Sequence, residues 1–230
     1  LKNVLSISAS GHKFGESCIG TGWVVWRQRE NLSAHVAISV SYLGGMGESY
    51  NLNFSRPASG IYVQYYKFLR YGISGYQKIC EHMMAHAQKI RGGLEGMKFE
   101  GKPRFVILDD GDKGCLPVVT AMLNPECNFE YDDIDLQHAI SEHNWYVSGY
   151  RMNFEDPVTK QDKPIFTDQD GSKTMFRIVV KSNINSVMVD NLIDSFGKTL
   201  EMLDSIEFKN KTNGAFKGMH RKKNLFSKHC

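Results

Sequence analysis

SISASGHKFG, residues 6–15, sets a lysine beside a histidine and between two glycines. Its first residues end LKNVLSIS (1–8), which reads as a short strand, so Lys13 stands on a loop at a strand end. Gly11 and Gly15 allow backbone or ligand to approach closely. Ser8 and Ser10 add hydroxyls, and His12 adds a second ring at the same point. A lysine on a polar loop is by default a solvated surface charge. A lysine amine beside a partly desolvated pocket can instead lose its proton and attack a carbonyl, forming a Schiff base. Both readings are open on these residues alone.

The strand before the loop has a companion. GWVVWR, residues 22–27, is continuously apolar and aromatic, which predicts strands buried on both faces under covering helices. The next segment is irregular, with glycines in YLGGMG and aromatic NLNFSRP, and loops in that style often carry function. Pro57 suits the first turn of a helix. Ile61, Tyr65, Phe68 and Leu69 share one face, and GISG at 72–75 interrupts the pattern. It resumes at Tyr76, Ile79, Cys80, Met83, Met84 and Ala87, so two tandem helices or one broken helix is expected.

From Phe99 onwards the style changes. FVILD (105–109), LPVVTAML (116–123), YRMNF (150–154) and MFRIVVK (175–181) predict strands. Residues 132–145 predict a helix with acidic residues in its first turn, and 187–206 a second helix. Together they make a compact α+β unit the size of a small domain.

Bulk properties bound the rest. With 230 residues, 41% hydrophobic and 23% charged, the chain has a globular composition. No apolar run approaches the roughly 18 residues a bilayer requires, and the first residues do not resemble a secretion signal. No membrane partner is expected, and the chain is read as cytoplasmic. Cys18, Cys80, Cys115, Cys127 and Cys230 show no paired spacing, which predicts reduced thiols packing mostly as small apolar residues. The net charge of +3 hides an asymmetry, because residues 209–230 hold seven Lys and Arg and no acidic residue. Such tails are usually solvated. No nucleic-acid partner is expected.

Several motifs are excluded. GxxxxGK[ST] is absent, since Phe14 follows Lys13, and GTGWVV lacks the third glycine of a dinucleotide fingerprint. His82 and His86 stand one helical turn apart, but HExxH is absent and both are read on a wet helix face. No metal site is expected. The cofactor that most often uses a Schiff-base lysine is pyridoxal phosphate (PLP), whose ring accepts electrons.

SISASGHKFG, GTGWVVWR, SYLGG and NLNFSRPASG, in this order and spacing, resemble the PLP-dependent glutamate decarboxylases of the bacterial, fungal and plant type, a branch of the group II decarboxylases. FRIVVK at 176–181 and the Lys228-His229-Cys230 terminus continue the likeness. The resemblance implies an α/β chain: the C-terminal part of a fold-type-I PLP-dependent transferase large domain, then an α+β small domain. The implied boundaries are 1–60 for the end of the large domain, 61–97 for a linking helix, 98–208 for the small domain and 209–230 for a basic tail.

Residue roles follow from the resemblance. Lys13 matches the lysine bonded to the cofactor, and His12 the neighbour that contacts its phosphate, with Ser10 beside them. Ser55 matches a serine reaching the phosphate of the partner subunit in a homodimer or higher homo-oligomer, and Phe54 lies with it near the substrate. Arg177 matches an arginine that meets or shapes the pocket for the substrate's α-carboxylate. His229 matches a regulatory histidine that closes the site in some bacterial members. Taken singly, Arg177 is an ordinary strand arginine and Ser55 a capping serine. Their joint placement relative to Lys13 sets them apart.

The implied activity is decarboxylation of L-glutamate to γ-aminobutyrate and carbon dioxide. By the same resemblance the sequence is a C-terminal half, lacking the aspartate that holds the pyridine nitrogen and the pocket for the substrate side chain. A piece of this kind is expected to be inactive alone. The alternatives are a related group II decarboxylase with another substrate, or a non-catalytic fragment acting through its basic tail. Calmodulin binding by that tail is not expected, because it has no tryptophan and no long amphipathic pattern.

Overall fold

The computed structural model describes residues 2–40, 44, 47–50, 55–109, 111, 116–164 and 173–212. The chain divides into two compact units, Leu1–Lys78 and Ile79–Cys230.

In the first unit, β1 (Ser6–Ser10) and β2 (Gly22–Trp26) run antiparallel, with Ser6 opposite Trp26 and Ser10 opposite Gly22. They lie close to where the apolar runs predict. Their burial does not follow the prediction, for Ile7 is 56% and Val25 61% exposed. A two-stranded ribbon by itself supplies neither flanking strands nor cover for both faces. Single 3₁₀ turns at Arg29–Asn31 and Ala34–Val36 lead to the antiparallel pair β3 (Ile38–Val40) and β4 (Gly47–Ser49).

Helix α1 (Ser59–Glu95) opens two residues after Pro57, with the Ala58 carbonyl accepting from the Ile61 and Tyr62 amides at 3.0 and 3.2 Å. The proline therefore lies just outside the helix and not in its first turn. The interruption read from GISG is real: Gly72 has φ 57° and ψ −170°, far from helical values. Before the break, the expected apolar face is bare, Tyr65 being 62% and Leu69 69% exposed. The residues buried there are Gly60 and polar Gln64, the latter at 1% exposure. Beyond the break, α1 enters the second unit.

That unit is built on a four-stranded antiparallel sheet in the order β7 (Phe105–Ile107), β8 (Val118–Leu123), β12 (Thr174–Val179), β9 (Ser148–Arg151). Its small hairpins are β5 (Lys98–Phe99) with β6 (Lys102–Pro103), and β10 (Asn153–Glu155) with β11 (Asp162–Pro164). Val119 and Ala121 of β8 and Phe176 and Ile178 of β12 point inward, while Arg177 and Val179 point out, the period-two pattern of a sheet covered on one face. Ile90 and Leu94 of α1, Leu136 of α2 (Asp133–Ser141) and Phe196 of α3 (Ser186–Thr212) complete the core.

Helix α2 starts as its acidic residues predict. The Asp132 side chain accepts from the Ile134 and Asp135 amides, both at 3.0 Å, and Asp135 returns the favour to the Asp132 amide at 2.9 Å. It ends earlier than expected, followed by Asn144 in the left-handed region at φ 62°. Helix α3 runs longer than expected and takes residues 209–212 of the basic segment into its last turn. No helix among the described residues is long and apolar enough to cross a membrane.

Two readings need correction. His86 is buried at 8% exposure and not on a wet face: its Nδ1 donates to the His82 carbonyl at 2.7 Å, and the two rings lie 4.1 Å apart. An i−4 backbone acceptor lets a histidine turn inward beside Met83 and Ala87. Cys18 and Cys80 are exposed free thiols, and Cys127 is only partly buried. Cys18, on the loop between β1 and β2, and Cys80, on α1, are left uncovered, so they do not pack as core residues. Cys115 and Cys230 lie outside the described residues.

Candidate active site

The loop between β1 and β2 folds back on itself through its own backbone. The Lys13 amide donates to Ser10 O at 3.2 Å, Glu16 N to Lys13 O at 3.0 Å and Ser17 N to Gly11 O at 3.1 Å. Its far end is tied by His12, whose amide and ring Nδ1 both donate to the Thr21 carbonyl, at 3.2 and 3.1 Å. A carbonyl only accepts, so the Nδ1 of His12 carries the proton and Nε2 is left for another contact. Lys13 and Ser10 are exposed, and among the described residues no side chain pairs with the Lys13 ammonium.

Helix α1 supports the loop from below. Gln64 Nε2 donates to the Gly15 carbonyl at 2.8 Å, the Tyr76 hydroxyl donates to the same oxygen at 3.4 Å, and Ser17 Oγ donates to Gly60 O at 2.5 Å. This explains the two glycines. A Cβ on Gly11 would stand 2.5 Å from Gln64 Oε1, and one on Gly15 would stand 2.6 Å from both polar atoms of the same amide. The glycines make room for a buried side chain.

An ionic contact adds to this. Lys67 Nζ lies 3.0 Å from Glu16 Oε2 and 3.1 Å from the Tyr71 hydroxyl. The Glu16 carboxylate, and then the Tyr71 hydroxyl, hold the Lys67 ammonium above its ordinary pKa. Tyr76 is packed among Phe14, Tyr71 and Phe68 at ring distances of 5.3, 5.6 and 6.0 Å. Burial, and then the Glu16 charge, raise its hydroxyl pKa.

Lys13, His12 and Ser10 thus share one loop. Ser55 is exposed in the same unit, four residues before α1 begins. Arg177 belongs to the other unit, on the outward face of β12, where its Nη2 donates to the Tyr150 hydroxyl at 2.9 Å. Phe54 and His229 lie outside the described residues. Sequence reasoning missed Gln64, Lys67, Glu16, Tyr76 and Tyr150. A signal for the first was present: Gly60, Gln64, Lys67 and Tyr71 recur at helical spacing as a separate stripe beside the aromatic one.

Residues 1–100 match the pyridoxal-dependent decarboxylase conserved domain. Glutamate decarboxylase beta of Listeria innocua is 33% identical over 205 residues, covering 89% of this chain and 40% of that protein. The chain belongs to the group II pyridoxal-dependent decarboxylases. Glutamate decarboxylase of Aliivibrio fischeri is 38% identical over 193 residues, covering 84% of this chain and 37% of that relative. The solved glutamate decarboxylase of Lactobacillus brevis matches with a TM-score of 0.70 at 30% identity, covering 89% of this chain and 42% of that structure. The fold is therefore that of the fold-type-I PLP-dependent decarboxylases. The chain spans about 40% of the length of the first curated relative.

Membership in this family implies PLP as the cofactor, and the loop fits it. A primary amine free of described partners stands on a braced turn, with Ser10 and His12, whose Nε2 is left for another contact, on the same loop. An aldehyde and a phosphate need groups of these kinds.

Proposed function

We propose that the chain is the Lys13-bearing part of a decarboxylase that converts L-glutamate to γ-aminobutyrate and carbon dioxide. The observation that carries this reading is the exposed Lys13 amine on a loop braced by α1, in a chain whose family uses PLP. The choice of glutamate is supported by the glutamate decarboxylases among its relatives. Bound PLP supplies an electron-withdrawing ring that takes up the electron pair left as the carboxylate departs.

The chain's own residues do the rest. Lys13 Nζ would hold the cofactor through its aldehyde group and, as a primary amine, could also hold or deliver a proton at the substrate Cα. His12 Nε2 and Ser10 Oγ, on the same loop, would serve as phosphate contacts, with Ser55 reaching the phosphate of a second subunit. Arg177 is the arginine that the family resemblance assigns to the α-carboxylate. The pocket for the substrate side chain falls to a segment corresponding to the remainder of the relatives' length.

The bare apolar surface of the first unit supports this assembly. Ile61, Tyr62, Tyr65, Tyr66, Leu69 and Ile73 of α1 are each more than half exposed, at 61, 72, 62, 61, 69 and 90%. Such a patch is an interaction surface by its size. On this reading the remaining polypeptide and a second subunit cover it, and the chain alone associates or is poorly soluble.

The test is reduction with borohydride in the presence of PLP, followed by peptide mapping, with carbon dioxide release from glutamate measured alongside. An adduct mapped to Lys13 and lost in Lys13→Ala is expected in the full-length protein. An adduct elsewhere, or glutamate turnover that survives Lys13→Ala, overturns the reading.

A further inference from the structure

The Gly15 carbonyl receives its described hydrogen bonds from side chains of α1, from Gln64 at 2.8 Å and Tyr76 at 3.4 Å. These donors are twelve residues apart in the chain. In an unbroken helix that separation is about 18 Å along the axis and about 120° around it. Two such side chains would face different directions and could not converge on one oxygen. The break at Gly72, between them, is what lets them meet.

Gly72 holds φ 57° and ψ −170°, a combination open essentially to glycine alone. A Cβ there would touch nothing within 4 Å, so packing does not require glycine at this position and backbone conformation does. The next residue of the loop is also held unusually. Glu16 is a non-glycine residue at φ 54°, and Lys67 grips its carboxylate at 3.0 Å. The peptide that leaves Gly15 is therefore clamped at its oxygen and at the next side chain, both times from α1. Two residues upstream of that clamped peptide stands Lys13.

We propose that Gln64 and Tyr76 are positioning residues for Lys13, converging on the Gly15 carbonyl because Gly72 breaks the helix between them. The inference rests on the Lys13 reading above. Gly72 acts on this clamp through Tyr76. Straightening the helix withdraws the Tyr76 hydroxyl and releases one side of the clamp, and Lys13 Nζ then loses its fixed approach to the cofactor aldehyde.

The test compares Gly72→Ala, Tyr76→Phe and the double variant in the full-length protein loaded with PLP. Tyr76→Phe keeps the ring packing, so it folds even where Gly72→Ala does not. The rate at which the borohydride-fixed adduct at Lys13 appears should fall about fivefold in each single variant, the scale of one lost hydrogen bond. The double variant should fall no further, because both changes remove one contact. A second readout is the ultraviolet titration of the tyrosines: the Tyr76 phenol, which burial raises, should shift back towards the usual range in Gly72→Ala. Unchanged adduct rates in both single variants, with Lys13 still modified, overturn this inference alone. No Lys13 adduct in the unaltered protein overturns the functional reading and the inference together.

Discussion

The Arg177 guanidinium lies 5.3 Å from the centre of the Tyr150 ring while its Nη2 donates to the Tyr150 hydroxyl at 2.9 Å. The two side chains sit diagonally on the outward face of paired strands, because Arg177 is opposite Ser148 and Met175 opposite Tyr150. Ring and hydroxyl together hold one edge of the guanidinium, and among the described residues its other N–H groups have no partner and could meet a planar anion.

If Arg177 receives the substrate carboxylate, Tyr150→Phe keeps the ring and removes the acceptor. KM for the amino-acid substrate should then rise about threefold to tenfold with little change in kcat, as for loss of one orienting hydrogen bond. Steady-state kinetics decide it, and an unchanged KM separates Arg177 from substrate binding.

Asp133 is 2% exposed, accepts from the Leu123 amide at 2.9 Å and from the Thr174 hydroxyl at 2.7 Å, and joins α2 to two strands. Burial raises its pKa from 3.8 to about 6, against the opposing pull of those two donors. The folded value lies above the unfolded one. Its stabilising contribution is therefore complete below 3.8 and is lost as pH rises through about 6. Denaturant melts at pH 4 and pH 7 should show Asp133→Asn removing part of the pH dependence, up to about 3 kcal/mol. The amide oxygen can still accept from the Leu123 amide, while its NH2 can donate to the Thr174 oxygen as the O–H of the protonated acid can.

Arg104 has a side chain only 6% exposed, reaches Asp204 at 2.5 Å and lies 4.8 and 5.3 Å from the Phe99 and Phe129 rings. Asp204 also accepts from the Tyr131 hydroxyl at 2.8 Å. Asp204→Ala leaves a buried guanidinium without its counter-charge and should destabilise the second unit by roughly 3 kcal/mol. Arg104→Met, which removes the charge with the bond, should cost less. Equilibrium unfolding of both variants checks the order.

Phe176 is fully buried and meets Phe105 and Phe196 at ring distances of 5.4 and 5.6 Å. Phe176→Ala should cost about 3–5 kcal/mol, the range for emptying an aromatic core site. Thermal melting should show the loss, while Arg177→Ala, next in the chain but facing outward, should leave the melt nearly unchanged.

Local patterns were legible wherever a short stretch carries its own reason. The apolar runs marked β1 and β2, the glycines of GISG marked the break in α1, and Asp132 with Asp135 marked the start of α2. The family was legible in SGHKFG and NFSRP. The burial of β1, β2 and the first part of α1 was not, because an apolar stripe announces that a face can be covered without saying by what. His86 was misread for a related reason: its inward turn depends on a carbonyl one helical turn earlier, which leaves no mark in an apolar pattern.

The sequence by itself determined the elements, their order and the lysine loop, because propensity, capping and periodicity act over a few residues. Only the tertiary structure decided which side chains meet: Gln64 and Tyr76 on the Gly15 carbonyl, Arg104 with Asp204, and Arg177 with Tyr150. Those contacts join residues 27 to 100 positions apart. No periodicity spans such separations, so each is set by how helices and strands pack and, at Gly72, by a single backbone conformation that redirects a helix.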